Sequence, residues 1–600
     1  MPIQSIPRLL HSLWHQIHSR RRFQFGLLFL LMTLASITEA LSVGAVLPFL
    51  GALTKPESVF AHKLAQPIIQ ILDLTEPRQL QLMLALFFAS MAVFAGGVRL
   101  LLLWASVRLS HAVGADISID IYRRTLYQPY AVHTSRNSSE IIAGISTKSS
   151  QVVLSTILPT LTALSASFIL VAVVTALISI DPYIALTAFC GFGAIYVVVF
   201  RLTYGRLTAN GQRYNEGASR VFKVLQEGLG GIRDVLIDGT QEAYCKIYRD
   251  ADLPFRRADA NIAILGNSPR FVIEALGLVL LAVLAFVFSG RPGGISDLIP
   301  VLGALALGSI RLLSVLQQAY SAWASIRGSS AALTDVLGLL KQPLPEYALM
   351  PQTEALPFKQ TISLRAVGFR YHPDSPNVLS DVTLIIPKGS RVGFVGTTGS
   401  GKSTLIDIVM GLLPPTKGTL EIDGEIVCES NMRAWQMHVA HVPQAIFLSD
   451  ASIAENIAFG ISFKDINMSR VRLAAKQAQI SDAIESWHQQ YDTKVGERGI
   501  RLSGGQRQRI GIARALYKRA DVIVLDEATS ALDSETEEAV MEAIDALGSD
   551  ITVIMIAHRL ATLKACSHIV ELNAGHVKRH GTYPEIVGVA SDIQVGDLDL

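Results

Sequence analysis

Six apolar stretches lie within the first 340 residues, and each is long enough to cross a bilayer as a helix. A helix rises 1.5 Å per residue, so about 20 apolar residues cross the roughly 30 Å of hydrocarbon in a membrane. The stretches are residues 25–50, 82–104, 152–180, 183–202, 271–290 and 295–316. This pattern predicts an all-α transmembrane domain of six spans, after which the chain returns to the side on which it began.

The basic residues indicate how this domain is oriented. Residues 20–22 are three consecutive arginines before the first stretch, and they place the N-terminus in the cytoplasm. Two long charged segments on the same side, residues 105–151 and 203–270, are predicted to extend the spanning helices into the cytoplasm, with a break at Pro129. On the outer side, residues 51–78 have a pattern that fits either an interfacial amphipathic helix or a plain loop.

Composition separates this apolar part from a soluble part. The net charge is only +2, which gives no global indication of a nucleic-acid partner. The four cysteines are scattered, without the spacing of a metal site or a disulfide framework. Prolines concentrate in a predicted linker. We predict a transmembrane domain over residues 1–340, a linker over 341–358, a nucleotide-binding domain over 359–590 and a short tail over 591–600.

The soluble part contains a glycine-rich turn that matches the P-loop pattern and ends in Lys402 and Ser403. Glycines let backbone N–H groups point inward, the next helix directs its positive end to the same place, and Lys402 adds a full charge. Ser403 can ligate Mg²⁺. The pattern predicts binding of ATP with Mg²⁺, through Gly396, Thr397, Thr398, Gly399, Ser400, Gly401, Lys402, Ser403 and Thr404.

Two carboxylates follow an apolar strand farther along the chain. Asp526, at the strand end, is placed to ligate Mg²⁺, and Glu527 is placed to orient and polarise the attacking water. Strand-like runs alternate with helices around these residues and the P-loop, which predicts an α/β nucleotide-binding core.

A second anion site is predicted at residues 502–506, where a serine and two glycines precede a helix. One ATP hardly needs two such sites in one domain. We therefore infer that this site closes on the nucleotide held by a second copy of the chain, through Ser503, Gly504, Gly505 and Gln506.

These motifs together resemble the nucleotide-binding domain of ABC transporters, and the whole chain resembles a half-size ABC exporter. The resemblance implies an ATPase coupled to transport, acting in the bacterial inner membrane as a homodimer with two competent composite ATP sites. In this family, residues 502–506 form the signature motif. A heterodimer with a related half remains an alternative.

The resemblance also assigns roles to isolated residues. Tyr371 resembles the aromatic residue that stacks on adenine, Gln444 the Q-loop residue that senses magnesium, and His558 the switch histidine that holds the γ-phosphate. Asp533 belongs to the segment that resembles the D-loop. The implied catalytic residues are Glu527, His558 and Gln444, and the implied Mg²⁺ ligands are Ser403, Gln444 and Asp526.

Charged residues within the spans are the best sequence evidence about the substrate. Arg99, Arg270 and Arg311 are expected near the inner leaflet, where they either bind a phosphate or pyrophosphate head group or extend to the interface. Glu39, midway along the first span, either belongs to the same path or pairs with an arginine of another helix.

Residues 267–271, with Glu274, are similar to PglK-type lipid-linked oligosaccharide flippases. This similarity implies that the chain flips a lipid-linked oligosaccharide or related glycolipid from the cytoplasmic to the outer leaflet by alternating access. A multidrug or lipid A-type exporter would share every ATP-site residue and remains an alternative. An ATP-gated channel of the same architecture would be expected to have degenerate catalytic residues, whereas Glu527 and the signature motif are intact.

Overall fold

The computed structural model describes residues 5–54, 56–61, 66–71, 73–180, 182–289, 295–349, 355–527, 534–545, 550–556 and 562–587. The chain forms two compact units. The first comprises Met1–Gln128 and Arg136–Pro343, and the second comprises Pro129–Ser135 and Leu344–Leu600.

The first unit is helical throughout its described part. Its helices are α1 (Ile6–Gln16), α2 (Ser19–Gly44), α3 (Val46–Thr54), α4 (Pro56–Phe60), α5 (Gln66–Ile71), α6 (Pro77–Leu126), α8 (Ser138–Ala143), α9 (Ser149–Val152), α10 (Leu158–Ile180), α11 (Pro182–Gly230), α12 (Ile232–Ile237), α13 (Gln241–Asn267), α14 (Pro269–Ser289), α15 (Ile295–Gly328) and α16 (Ser330–Leu340). Helix α7 (Tyr130–Ser135) belongs to the second unit.

Three helical stretches in the described residues are long and apolar enough to cross a membrane: Ser19–Thr54, Pro77–Leu126 and Ser138–Ser179. They contain the first three predicted spans. The other three predicted spans correspond to α11, α14 and α15, except that residue 290 lies outside the described residues, and the side chains of these helices are described only in part. Helix α6 continues without a break from its apolar part to Leu126, as predicted for a helix that extends into the cytoplasm.

The stretch from α8 to α10 is not a regular helix. Two π-helical segments, Gly144–Lys148 and Val153–Ile157, lie on either side of α9. At Gly114 of α6, an added Cβ would lie only 2.2 Å from Cγ2 of Val153. The second π-helical segment therefore packs directly against the backbone of α6, and only glycine permits this approach.

The outer segment, over residues 51–78, contains the end of α3 and the short helices α4 and α5 before α6 begins. It is thus divided into short helices where it is described. At the other end of the unit, α1 packs on α16 and buries Leu9 and Leu13. The sequence pattern does not predict helix α1.

The second unit has two sheets. Its strands are β1 (Thr361–Phe369), β2 (Leu379–Pro387), β3 (Arg391–Val395), β4 (Lys417–Ile422), β5 (Glu425–Ile426), β6 (Val439–Val442), β7 (Val522–Asp526), β8 (Thr552–Ile556), β9 (His568–Asn573) and β10 (His576–Gly581). The smaller sheet has the order β2-β1-β4-β5 and is antiparallel, whereas the larger has the order β10-β9-β3-β8-β7-β6 and is parallel except at β10.

The helices of this unit surround the larger sheet or form a separate helical part. They are α17 (Lys402–Val409), α18 (Met432–Gln436), α19 (Ile453–Ile457), α20 (Met468–Gln477), α21 (Ser481–Glu485), α22 (Gly504–Lys518), α23 (Ser534–Asp545) and α24 (Tyr583–Val587). Strands β3, β7 and β8 are buried along nearly their whole length, as expected for parallel strands covered on both faces. Side chains that follow their carboxyl ends therefore meet at one edge of the sheet.

Candidate active site

The P-loop connects β3 to α17 at this edge of the sheet. Gly396 has φ +147° and Gly401 has φ +98°, values that residues with a Cβ atom rarely adopt. An added Cβ at Gly396 would lie 2.2 Å from the carbonyl oxygen of Leu572. The loop is thus a close-fitting backbone cradle, and it leads into the N-terminus of α17, where N–H groups and the helix dipole favour anions.

Lys402, the first residue of α17, is buried at the base of this cradle. Its Nζ donates hydrogen bonds to the carbonyl oxygens of Gly396 at 2.7 Å and of Thr397 at 3.0 Å. Burial lowers the pKa of Lys402, while the nearby carboxylates of Glu527 and Asp526 act in the opposite direction. The cation is therefore held by the same loop that would surround a phosphate.

Two serines of the loop have different environments. Ser400 is buried, and its Oγ has no hydrogen-bond partner among the described residues. Ser403 is exposed on the first turn of α17. An unpaired buried hydroxyl is costly unless a ligand satisfies it. The cradle, the buried cation and the accessible Ser403 hydroxyl together fit a polyphosphate with its Mg²⁺.

Tyr371 lies just after β1 and faces the P-loop helix. Its hydroxyl is 3.2 Å from Oγ1 of Thr404, and its ring packs edge-on against Phe369, with centroids 5.0 Å apart. The Tyr371 residue is 49% exposed, so part of the ring surface remains accessible beside the loop. This arrangement can stack a base whose phosphates lie in the cradle.

Gln444, Asp526 and Glu527 lie at the ends of neighbouring strands. Gln444 follows β6, and its Nε2 donates a hydrogen bond to Oε2 of Glu527 at 2.7 Å. Glu527 adopts a left-handed backbone with φ +48°, and its N–H donates to the carbonyl oxygen of Ile556. A non-glycine residue in this conformation is strained, and such strain is concentrated at functional sites.

Two further groups near this site were missed by the sequence analysis. Burial, followed by the charge of Asp526, raises the pKa of Asp407 on α17 to about 6. Burial, followed by the charges of Asp407 and Tyr371, raises the pKa of Tyr130 on α7. Asp407 lies five residues after Lys402 on α17, a local signal that could have identified it. Nothing local connects Tyr130 with residues more than 200 positions away.

Ser503 is the N-cap of α22 and forms a capping box with Gln506. Its Oγ accepts from the Gln506 N–H at 3.2 Å, and Gln506 Oε1 accepts from the Ser503 N–H at 2.9 Å. Gly504 and Gly505 form the first helical positions, so their N–H groups lie at the positive end of the helix dipole. Helix α22 packs on α19, α20 and β6. Asp533 and His558 lie outside the described residues.

The charged residues of the spans also pair. Glu39 is buried, with its two carboxylate oxygens 3.4 Å from Nε of Arg99 and 3.1 Å from Nε of Arg311. Arg270 is instead 3.8 Å from Glu274 on its own helix. Glu39 lies about 21 Å along α2 from Phe25 at 1.5 Å per residue. Of the two interpretations that the sequence left open for Glu39, the structure thus shows the pairing with arginines of other helices.

Known families match both halves of the chain. A family model of the ABC transporter transmembrane region matches residues 23–290, and a family model of the ABC transporter matches residues 379–530. An ATP-dependent lipid A-core flippase of Methylococcus capsulatus is 28% identical over 577 residues, which cover 95% of this chain and 92% of that protein. A second such flippase, from Alkalilimnicola ehrlichii, is 31% identical over 405 residues, covering 66% and 67%.

A solved structure of a bacterial Atm1-family ABC exporter with ATP bound has the same fold. Its TM-score is 0.78 at 22% identity, over 96% of this chain and 99% of that one. These matches confirm the predicted fold class, the ATPase activity, and ATP and Mg²⁺ as ligands. The chain therefore belongs to the ABC transporter family, as a half-size exporter that couples the hydrolysis of Mg²⁺-bound ATP to transport across a membrane.

Proposed function

We propose that this exporter is a homodimer in the bacterial inner membrane that moves a phosphorylated glycolipid from the cytoplasmic to the outer leaflet. The names of its relatives support a lipid A-type substrate. A lipid-linked oligosaccharide is the second candidate, favoured by the similarity of residues 267–271 to its flippases. Both molecules have an apolar tail, a phosphate or pyrophosphate and a saccharide.

The observation that carries this proposal is the charged cluster of Glu39, Arg99 and Arg311. One buried carboxylate faces two guanidinium groups from two other helices, so the cluster has a net charge of about +1 within the spans. The arginine side chains remain 40% and 41% exposed, whereas that of Glu39 is only 3% exposed. Glu39 thus orients both guanidinium groups and leaves N–H donors available for a phosphate, which arginine binds with two hydrogen bonds.

The ATP site supplies the energy for this movement through residues in distinct roles. Tyr371 stacks on adenine, the loop from Gly396 to Thr404 holds the phosphates, and Lys402 neutralises their charge. Ser403, Gln444 and Asp526 would hold Mg²⁺, which when bound would supply stabilisation of negative charge at the phosphate oxygens. Glu527 polarises the attacking water.

The second copy completes each site. Ser503, Gly504 and Gly505 present N–H groups and a helix N-terminus, which suit the γ-phosphate held by the P-loop of the partner. By the resemblance to ABC exporters, His558 is proposed to hold the γ-phosphate and Asp533 to belong to the D-loop. Closure of the two ATPase domains then opens the transmembrane part outward, and hydrolysis at Glu527 resets it.

The test is ATP-dependent loss of a labelled lipid from the accessible leaflet of proteoliposomes. The lipids are diphosphoryl lipid A, a polyprenyl-pyrophosphate saccharide and a phosphate-free apolar dye. We expect the wild type to move at least one of the two phosphorylated lipids. Glu527→Gln should move none, and Arg311→Gln should lower the rate about tenfold because a charge-assisted hydrogen bond to phosphate is lost.

Arg220→Gln, at an exposed arginine of α11 outside the predicted spans, is the matched control. It should retain the wild-type rate. If the wild type moves only the dye, the substrate is a drug-like molecule rather than a glycolipid. If Arg311→Gln moves a phosphorylated lipid at the wild-type rate, the protein is still a flippase, but the charged cluster does not contact the substrate.

A further inference from the structure

A proline separates α13, in the cytoplasmic segment, from α14, which contains the fifth predicted span. Helix α13 ends at Asn267 and α14 begins at Pro269, with only Ser268 between them. In a continuous helix, the N–H of residue 269 would bind the carbonyl oxygen of Leu265, but proline has no N–H. The junction is therefore a point at which the helix can bend, and the carbonyl oxygen of Leu265 lacks its helical partner.

Helix α15 supplies the missing donor. The hydroxyl of Tyr320 lies 3.0 Å from the carbonyl oxygen of Leu265 and 2.9 Å from Oγ1 of Thr203 on α11. Because a carbonyl oxygen only accepts, Tyr320 donates its single proton to Leu265, and the Thr203 hydroxyl can donate to Tyr320 in return. Nε2 of Gln317 donates to the carbonyl oxygen of Gly266 at 3.3 Å. We call Gln317 and Tyr320 the latch, since they join α15 to the junction of α13 and α14.

The helices around the latch pack closely. Tyr320 is 5% exposed and Thr203 is 9% exposed, so water has little access to their hydrogen bonds. One turn beyond Tyr320, Ala324 is buried, and its Cβ would lie 3.8 Å from a Cβ added at Gly266. All of these groups belong to one copy of the chain, so a second copy could only bury them further. The latch is expected to be either closed or open, because partial separation would leave buried polar groups unpaired.

The latch lies on the cytoplasmic side of the charged cluster in the spans. Helix α15 is continuous and contains both Arg311 and the latch. Tyr320 follows Arg311 by nine residues, or about 14 Å along the helix axis at 1.5 Å per residue. By the predicted topology, α15 runs toward the cytoplasm. A molecule that approaches Arg311 from the inner leaflet between α13 and α15 therefore has to pass the latch.

We propose that the latch closes the cytoplasmic entrance to the charged cluster and opens in each transport cycle to admit the phosphorylated glycolipid. Pro269 is the hinge for this movement, since it lets the end of α13 swing away from α15 without breaking a helical hydrogen bond at this position. Tyr320 and Gln317 are positioning residues, because they act through the junction of α13 and α14 and not on the lipid. This inference rests on the proposed function and assigns the step that controls access to Arg311.

The first test locks the latch with a disulfide. The protein is the full-length chain in which the exposed cysteines Cys190, Cys245 and Cys428 are replaced by serine. Gly266→Cys and Ala324→Cys are then added, because a Cβ–Cβ distance of 3.8 Å is typical of disulfides. After oxidation, ATP-dependent movement of diphosphoryl lipid A or the polyprenyl-pyrophosphate saccharide in proteoliposomes should fall at least tenfold. Dithiothreitol should restore it, and each single-cysteine variant should be insensitive to oxidation.

The second test measures opening without transport. In the same serine-substituted protein, Ala324→Cys places a thiol that is buried until the latch opens, so its rate of labelling by N-ethylmaleimide reports the open fraction. Tyr320→Phe keeps the ring but leaves the carbonyl oxygen of Leu265 unpaired, and it should raise this rate about fivefold. Tyr204→Phe, which removes the hydroxyl of an exposed tyrosine of α11, is the matched control and should leave the rate unchanged.

A further variant identifies the carbonyl group on which Tyr320 acts. Pro269→Ala gives residue 269 an N–H that can bind the carbonyl oxygen of Leu265, which makes the hydroxyl of Tyr320 redundant. In this background, Tyr320→Phe should change the labelling rate less than twofold. An equal increase in both backgrounds would show that Tyr320 does not act through the hinge, and it would overturn the proposal.

The outcomes separate the latch from the proposed function. If the wild type moves a phosphorylated lipid and the oxidised double-cysteine variant moves it equally fast, the latch is refuted and the flippase proposal is unaffected. The same conclusion follows if no disulfide forms or if Tyr320→Phe does not raise the labelling rate. If the wild type moves neither lipid while the labelling rates are as expected, the proposed substrate is wrong, and the latch remains as a property of the exporter.

Discussion

Gln444 and Glu527 are joined by a hydrogen bond of 2.7 Å between Nε2 of the amide and Oε2 of the carboxylate. It connects the segment after β6 to the end of β7 across the active site. The proposed roles of the two residues differ, since one ligates Mg²⁺ and the other polarises water. Because the hydrogen bond uses the amide nitrogen, the side-chain oxygen of Gln444 would hold Mg²⁺ while the nitrogen orients Glu527.

We expect Glu527→Gln to lower the steady-state ATPase rate at least 100-fold, because an amide cannot act as the general base. ATP binding should persist, since the P-loop is untouched. The measurement is phosphate release together with binding of a fluorescent ATP analogue. Glu429→Gln, at an exposed carboxylate of the same unit, is the control and should retain the full rate. Normal turnover by Glu527→Gln would exclude Glu527 as the base.

Gln444→Ala should raise the Mg²⁺ concentration needed for half-maximal ATPase activity severalfold, because one oxygen ligand is lost. Binding of ATP without Mg²⁺ should not change. The measurement is the ATPase rate as a function of Mg²⁺ concentration. An identical titration curve in the variant and the wild type would show that Gln444 is not a ligand.

Tyr371→Ala should weaken ATP binding about tenfold, since stacking of a base on an aromatic ring contributes about 1–3 kcal/mol. Tyr371→Phe keeps the ring and loses only the contact of its hydroxyl with Thr404, so it should bind nearly as well as wild type. Dissociation constants for ATP and for inorganic triphosphate separate the two effects. Equal losses for both ligands would contradict stacking on adenine.

Asp407 gives a pH-dependent prediction. Its pKa of about 6 in the folded protein lies above the ordinary value of 3.8, so the folded state binds the proton more tightly than the unfolded state. This contribution to stability is fully present below pH 3.8 and is lost as the pH rises through 6. Asp407→Asn should therefore raise the melting temperature at pH 7.5, and by less at pH 5.

The magnitude is about 1 kcal/mol at pH 7.5, after allowing for partial exposure of the Asp407 carboxylate. Thermal unfolding of the full-length protein at both pH values is the measurement. Asp374→Asn, at an exposed carboxylate, should show no difference between them. A gain for Asp407→Asn that is as large at pH 5 as at pH 7.5 would rule out titration of Asp407 as the cause.

Glu39→Gln should destabilise the transmembrane unit by about 1 kcal/mol, because it removes the counter-charge of two arginines whose side chains are 40% and 41% exposed. Glu274→Gln, at the exposed partner of Arg270, should cost far less. Melting temperatures of both variants in the same detergent provide the comparison. Similar small losses would indicate that Glu39 does not hold the two guanidinium groups.

The sequence predicts the site best where the functional residues lie close together along the chain. The P-loop, Asp526 and Ser503 each lie within short stretches whose spacing is set by backbone geometry, and the structure places each at the expected strand or helix end. The parallel sheet then brings Gln444 beside Glu527, although 83 positions separate them. Gln444 was assigned to this site from the order of motifs in the ABC transporter family, because no short sequence pattern around it identifies its role.

The sequence was least informative where the chain makes distant contacts between helices. Hydropathy identifies an apolar stretch, but it does not give the rotation of one helix against another. The pairing of Glu39 with both Arg99 and Arg311 was therefore left open by the sequence. The π-helical segments were also missed, because widening a turn by one residue leaves no clear mark in the pattern of apolar residues.

Gly114 has a consequence for how the helices of this unit can move. Since even one added carbon atom would collide with Val153, the side chain of Val153 lies directly on the backbone of α6 at this position. No side chain of α6 is present there to change rotamer and absorb a displacement. We therefore expect this part of α6 and the segment over residues 153–157 to move as one body when the helices rearrange during transport.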